Sequence, residues 1–541
     1  MATEPRARRK RSPKPAGSAP EPPAPAPDPA PGPTPLPPDR IAVRMYRDIL
    51  GDCFLLRIPA DEGRVHVLID CGILQGMPAA EARARRIMAD IARETRHLDV
   101  LIVTHEHWDH LSGFRQASDI FDTLTIGELW LAWTEDDRDE LARRLRAGRE
   151  SALKVIERSF AAIAKTSALA AGAEEDDEDD EMAPATFGRM DGVAGLMAFA
   201  GRAPGLAATG GTGTILDMLR AKAAKIRFLK PGETPLHLPG SVACRAHILG
   251  PPRDEARLKR SNPSKARPEV YQLADDTVGD DIFFLAALPL EDTDPVALNL
   301  ARPFARKYLL SADDPRTAVV DSEERDALDT FVARYEDPAE AWRRIDDDWL
   351  GAGEQLALKL DSDTNNTSLA IAFEIGLGPA SRVLLFPGDA QVGNWLSWGD
   401  YRWLDDRDKP DSALGIEDLL AKTVLYKVGH HGSHNATLRE RGLELMTNEN
   451  LVAMIPVAED FARSSKHWNM PFPSLLERLE MKTGGRILRA DRRRADLEAA
   501  AAARAGKSGE LSRAAWDSFL DMVADVAGDA EPVAIEYAIR V

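Results

Sequence analysis

Residues 104–113 read THEHWDHLSG and place His105, His107, Asp109 and His110 within six consecutive positions of a chain that has 11 histidines in all. Imidazole nitrogens and carboxylate oxygens at this density are metal-ligand chemistry, because a convergent set of such donors with no cation to share would be costly to keep out of water. The apolar run DVLIV before them reads as a buried strand, so the cluster sits on the loop that leaves it. Alternate residues His105 and His107 then point one way, and Asp109 with His110 turn toward a second point nearby. That geometry suits two cations a few ångströms apart. The mixed donor set favours zinc, manganese or iron over calcium or magnesium.

The segments that must carry this loop follow from turn residues and apolar spacing. IAVRMYR, CFLLRIP and VHVLIDCG are short β-rich runs separated by Gly51–Asp52 and by DEGR, the pattern of a strand meander. A helix is expected from about Ala79 to Thr95, before the strand DVLIVT. A second helical stretch, from about Asp136 to Ala170, leads into the like-charged block Glu174 to Glu181, which reads as a solvated loop. Further on, TSLAIAFEIG, RVLLFPGDA and TVLYKVGHHGSHNAT are apolar runs that each end in a turn carrying polar groups. The C-terminal part offers NLVAMIPVA, a helix around Pro473 to Lys482, RILRAD, a helical stretch to about Ala527 and a closing strand VAIEYAIRV.

HxHxDH resembles the signature of the metallo-β-lactamase superfamily, and three further landmarks stand in that family's order: Asp70 in VLIDCG, Asp389 in LLFPGDA and His430 in LYKVGHHGS. The segments GDCFLLRIP, NNTSLAIAFE and above all KVGHHGSHNAT are similar to the metallo-β-lactamase-like domain of the DNA-uptake competence protein ComEC and its soluble relatives. The resemblance implies an α/β fold, two mixed sheets face to face with helices on both outer sides, and a site at one edge of the sheets. It also implies two divalent ions, zinc or manganese, held by His105, His107, Asp109, His110, Asp389 and His430. Asp389 would bridge them, Asp109 would orient the attacking water, and His431 would stand by as an acid. Asp70 is expected to orient a ligating histidine from behind. Asn366, Ser368, Ser433 and His434 flank these positions as candidate substrate contacts. Asn365, Asn366 and Ser368 occupy the place where many superfamily members have a third histidine, which leaves the first ion with His105, His107 and Asp389 alone.

This reading divides the chain into a Pro/Ala-rich arm over residues 1–39 and a metallo-β-lactamase-like domain over 40–541, with two long, largely helical insertions at about 136–225 and 253–361. The expected activity is hydrolysis of a phosphodiester, with DNA or a nucleotide as substrate; hydrolysis of an ester, lactone or thioester is the enzymatic alternative. A non-catalytic interaction protein, binding partners through the insertions or the arm, is the alternative of another class. A net charge of -19 opposes a long polyanionic substrate and favours a small phosphodiester. Three scattered cysteines exclude a disulfide framework or a cysteine zinc site and fit a reducing, cytoplasmic setting. No apolar run approaches the roughly 20 residues of a membrane span, so no membrane role is expected. His247, in the strand CRAHILG, reads as a hydrogen-bonded core residue, and the Trp-rich loop from Asn394 to Trp403 as a cap on the core with base stacking as the alternative.

Overall fold

The computed structural model describes residues 34–171, 211–264, 269–271, 357–376, 380–403, 413–466, 468–507, 511–528 and 531–540, with a few isolated positions between them. The strands are β1 (Arg40–Tyr46), β2 (Cys53–Pro59), β3 (Arg64–Cys71), β4 (His97–Ile102), β5 (Thr125–Ala132), β6 (Ala223–Leu229), β7 (Leu236–Leu238), β8 (Ser241–Ile248), β9 (Ile371–Ile375), β10 (Arg382–Phe386), β11 (Thr423–Lys427), β12 (Val452–Ile455), β13 (Ile487–Arg489), β14 (Val523–Val526) and β15 (Ala534–Arg540). They form an eight-stranded sheet in the order β14-β15-β1-β2-β3-β4-β5-β6 and a seven-stranded sheet in the order β13-β12-β11-β10-β9-β8-β7. The expected meander is antiparallel β1-β2-β3, whereas β3 to β6 and β10 to β13 run parallel.

Period-2 alternation divides each strand's side chains between two cores. Phe54, Leu56, Val67, Ile69, Val100 and Ile102 of the first sheet meet Phe373, Leu384, Leu425 and Met454 of the second in one buried layer. Phe386 packs edge-on against both Phe54 and Phe373, with centroids 5.6 and 5.9 Å apart. On the outer face of the first sheet, Leu55, Leu68 and Leu101 pack on helix α1 (Ala80–Glu94) and helix α2 (Trp108–Gln116). α1 buries Ala84, Ile87, Met88 and Ile91, the one-sided spacing of an amphipathic helix. The second sheet's outer residues Leu385, Tyr426 and Ala453 share a core with Leu475 and Leu479 of the helix Pro473–Thr483. The architecture is therefore the expected sandwich, with helices outside two facing sheets.

Several boundaries differ from expectation. Residues 34–39, assigned to the arm, lie against the sheet: Arg57 donates to the Thr34 carbonyl at 2.7 Å and Arg64 to the Leu36 carbonyl at 2.9 Å. The helix expected from Asp136 is Glu140–Ala171. The stretch read as helical to Ala527 holds two helices, Arg494–Arg504 and Arg513–Leu520, and then β14, whose four residues are too few to show a period in sequence. The expected closing strand is β15, which lies between β14 and β1. The acidic block Glu174 to Glu181 lies outside the described residues. Among the described residues no helix is long and apolar enough to cross a membrane.

Candidate metal centre

Parallel strands gather their carboxyl ends along one edge, where loops are free to present side chains. Asp70 ends β3, the motif from Thr104 to His110 follows β4, Asp389 follows β10, and Lys427 ends β11. His107 is the N-cap of α2, so Asp109 and His110 lie in its first turn. The backbone there is pressed on the end of β3. The Asp52 N–H donates to the Asp109 carbonyl at 3.0 Å, and a Cβ on Gly72 would stand 2.0 Å from the Asp109 carbonyl carbon. Only glycine allows that approach.

Asp109, His110, Asp389 and His431 offer donor atoms that all lie within 4.8 Å of one another, and all four residues are buried. His110 Nε2 lies 3.3 Å from Asp389 Oδ2 and 3.7 Å from Asp109 Oδ2, and His431 Nε2 lies 3.1 Å from Asp109 Oδ2. The opposite ring nitrogens are tied down. His110 Nδ1 donates to Asp70 Oδ2 at 2.8 Å and His431 Nδ1 donates to the Pro456 carbonyl at 2.6 Å. Each bond fixes a tautomer that leaves Nε2 to face the cluster. Asp70, at φ 54, also accepts from the Thr104 N–H at 2.8 Å and the Thr104 hydroxyl at 2.7 Å. It therefore faces the back of His110.

The other two histidines of the motif face each other, with His105 Nε2 3.0 Å from His107 Nδ1. His105 Nδ1 lies near the hydroxyls of Thr104 and Ser368, at 3.0 and 3.2 Å. Burial, with the neighbouring histidines, holds the pKa of His105 well below the usual value. Burial likewise lowers that of His107 to about 3, so both rings are neutral and keep a lone pair. His110 is the contrary case. Burial opposes its charging, but Asp389, Asp109, Asp70 and Asp52 together raise its pKa well above the usual value.

Two buried residues were not expected from sequence. Lys427 Nζ lies 2.5 Å from Asp52 Oδ2 and 3.2 Å from Asp389 Oδ1, and it donates to the Gly388 carbonyl at 2.9 Å. In sequence Asp52 reads as a turn residue and Lys427 as part of an apolar run, and neither has a local signal of function. A third, Asp361, closes the second insertion and places Oδ1 3.7 Å from His107 Nε2.

The candidate ligand in the HHG turn is also different. His430 was expected to face the metals and His431 to stand beside them. The structure turns His431 into the group instead, while His430 gives its backbone N–H to Asp389 Oδ1 at 3.1 Å and its Nδ1 lies 3.1 Å from the Ser433 hydroxyl. β11 ends at Lys427, and both histidines have positive φ, 44° and 53°, so strand alternation no longer decides which ring points inward. Ser368 donates no direct ligand but accepts the Asp389 N–H at 3.1 Å. Asn366 uses its carbonyl oxygen on the Gln391 N–H at 3.0 Å and its amide on the Arg260 carbonyl at 2.8 Å, which makes it a loop brace. Ser433 reaches Asn435, and the His434 ring lies against Phe472, 6.1 Å between centroids. Trp395, Trp398 and Trp403 of the Trp-rich loop are all buried, which leaves none for stacking a base from solvent. His247 bonds Glu374 at 2.9 Å, in the core.

The model of the metallo-beta-lactamase superfamily matches residues 47–248, from the end of β1 through β8 and including the whole THEHWDH motif. Comparison with curated proteins and with solved structures gives no match. The sandwich agrees with the family model, and the match together with the buried His/Asp groups points to a metal-dependent hydrolase.

The residues fit a metal on their own chemistry. Asp109 Oδ1 is buried and has no hydrogen-bond partner. Five buried or nearly buried carboxyls, Asp52, Asp70, Asp109, Asp361 and Asp389, gather here, and Lys427 pairs with only two of them, Asp52 and Asp389, while the others face histidines. Such an excess of acid out of water calls for cations.

Proposed function

We propose that the protein is a metal-dependent phosphodiesterase of the ComEC-like type, acting on a small phosphodiester such as a nucleotide in preference to long DNA. The observation that carries the hydrolytic reading is the convergence of Asp109, His110, Asp389 and His431, with one Asp109 oxygen buried and unpaired. The phosphodiester reading is supported by KVGHHGSHNAT and its likeness to the ComEC-type domain, and the preference for a small substrate by the net charge of -19.

Two divalent cations, zinc or manganese, would supply Lewis acidity and a water acidic enough to act as a nucleophile near neutral pH. The chain's own groups do the rest. Asp389 and the Nε2 atoms of His110 and His431 would hold one cation, and Asp389 with His105 and His107 the other. Asp70 and the Pro456 carbonyl keep the two Nε2 lone pairs aimed inward, so binding needs no ring rotation. Lys427 and the His430 N–H fix the Asp389 carboxylate from the other side. Asp109 Oδ1, which has no other partner, accepts a hydrogen bond from the attacking water and sets its direction.

The test is hydrolysis of a chromogenic bis-aryl phosphodiester, of linear DNA and of a lactone, with added manganese or zinc, beside Asp109→Ala. Metal-dependent turnover of the phosphodiester, lost in a folded Asp109→Ala, is the expected result. Turnover of the lactone alone would replace this reading with the ester-type one, and metal-bound protein that turns over none of the three would leave the interaction-protein reading standing.

A further inference from the structure

The loop that carries His105 and His107 is held from outside by a residue of the first insertion. We propose that Arg149 is a positioning residue of the metal centre: through Glu106 it keeps the histidines on either side in the spacing that the first cation position needs. This inference rests on the metal-dependent reading above.

The loop has few ties of its own. The Thr104 carbonyl accepts the Leu369 N–H at 2.8 Å and the His107 carbonyl accepts the His110 N–H at 3.1 Å. Between them, among the described residues, neither His105 nor Glu106 makes a hydrogen bond from its main chain to another main-chain group. A stretch without such bonds is held only as well as its side chains hold it. His105 has the hydroxyls of Thr104 and Ser368 near its Nδ1. Glu106 has Arg149, whose Nη2 lies 2.7 Å from its carboxylate, with the two side chains 15% and 21% exposed. At that depth the pair is screened less than an open one.

Arg149 can serve as an anchor because its own helix, Glu140–Ala171, is fixed at its start. Trp133, Ala142 and Leu258 form a small buried core on which Leu141 and Leu145 pack. Arg146 donates to the Glu135 carbonyl at 3.2 Å and to Asp137 at 2.7 Å, and Arg220 of the helix Gly211–Lys222 donates to the same Glu135 carbonyl at 3.0 Å. Both ends of the first insertion thus meet just after β5. From there Arg149, on the same helix face as Arg146, reaches the motif.

What the anchor fixes is a distance. His105 Nε2 and His107 Nδ1 lie 3.0 Å apart, near the roughly 3.4 Å between two ligands that each stand about 2.1 Å from one tetrahedral ion. Glu106 joins the two histidines, so a rotation of its peptide units moves both rings. The charge of Arg149 by itself works against a nearby cation. Its contribution to binding is therefore positional, and the sign of the change on its removal separates the two effects.

The experiment is manganese and zinc affinity by titration calorimetry, with bound metal counted after dialysis and thermal melts in chelator, on the full chain. The natural protein is compared with Arg149→Ala, Glu106→Ala and the double variant, and His105→Ala marks which ion occupies the first position. Arg149→Ala should weaken that ion at least tenfold and leave the other within about twofold, although a positive charge has been removed. The double variant should lose no more than the larger of the two single losses, since both act through one pair. Metal-free melts should move by less than about 4 °C, as for a pair near the surface. Unchanged or tighter binding in Arg149→Ala would overturn the inference, and so would equal weakening of both ions with a large fall in melting temperature, or single losses that add in the double variant. A natural protein that binds one ion also overturns it, and one that binds none takes the metal-dependent reading with it.

Discussion

The ammonium of Lys427 lies 3.2 Å from Asp389 Oδ1, with both side chains almost wholly out of water. Asp52 flanks the same ammonium at 2.5 Å, so one cation is shared by two acids from opposite sheets. Burial opposes the charging of Lys427, but the two carboxylates outweigh it and raise its pKa. The sandwich is thus joined at its open edge by charge.

Removing that ammonium should therefore cost more than a surface pair would. Lys427→Met leaves two buried carboxylates facing each other, and breaking a buried pair from one side typically costs about 3 to 5 kcal/mol. Urea melts of the metal-free protein check this. A loss below about 1 kcal/mol would show that the pair contributes no more than an exposed one.

Gly72→Ala tests the close approach of β3 to α2. The added methyl would meet the carbonyl carbon and oxygen of Asp109 and the His110 nitrogen at 2.0 to 2.2 Å, all backbone atoms that no rotamer change can move. Forcing the contact should destabilise the fold by about 3 kcal/mol and shift Asp109 and His110, lowering metal affinity as well. An alanine variant with natural stability and affinity would refute the packing described.

Stability should also carry a titration from Glu135, which follows β5 and lies buried among charges. Burial raises its pKa, Glu106 adds to the effect, and Arg149, Arg146 and Arg220 only partly offset it, which leaves it at about 7 against an ordinary 4.5. The folded chain then holds this proton to higher pH than the unfolded chain does. Stability falls as pH rises from about 4.5 through 7. Glu135→Gln removes that dependence, so its stability relative to the natural protein should improve by about 1 to 3 kcal/mol between pH 4.5 and pH 8. Denaturant melts at the two pH values would show it, and a constant difference would exclude it.

Legibility in the sequence followed distance along the chain. THEHWDH could be read because four ligand residues crowd a short loop behind an apolar strand, and Asp70 and Asp389 because the family resemblance assigns them by their order along the chain. The sandwich could be read from the same strands. Asp52, Lys427 and Asp361 could not, since each has an ordinary local explanation and acquires its neighbours only when loops from distant segments meet. The choice between His430 and His431 turned on two left-handed residues that histidine types do not announce. Arg149, in the first insertion, pairs with Glu106 of the motif at 2.7 Å, and the second insertion ends at Asp361, so both insertions reach the motif.

The place of β15 has a consequence for how the chain is made. Arg40 stands opposite Arg540 in the finished sheet, so β1 gains its second neighbour only after all the chain between them has left the ribosome. Pairing at that sequence separation is slow, and a half-covered apolar edge invites the wrong partner in the meantime. Arg44 sits in the middle of that edge and meets Glu536 only when β15 docks. In the nascent chain its positive charge discourages strand addition by another molecule, and in the finished protein the same charge holds β15 in register.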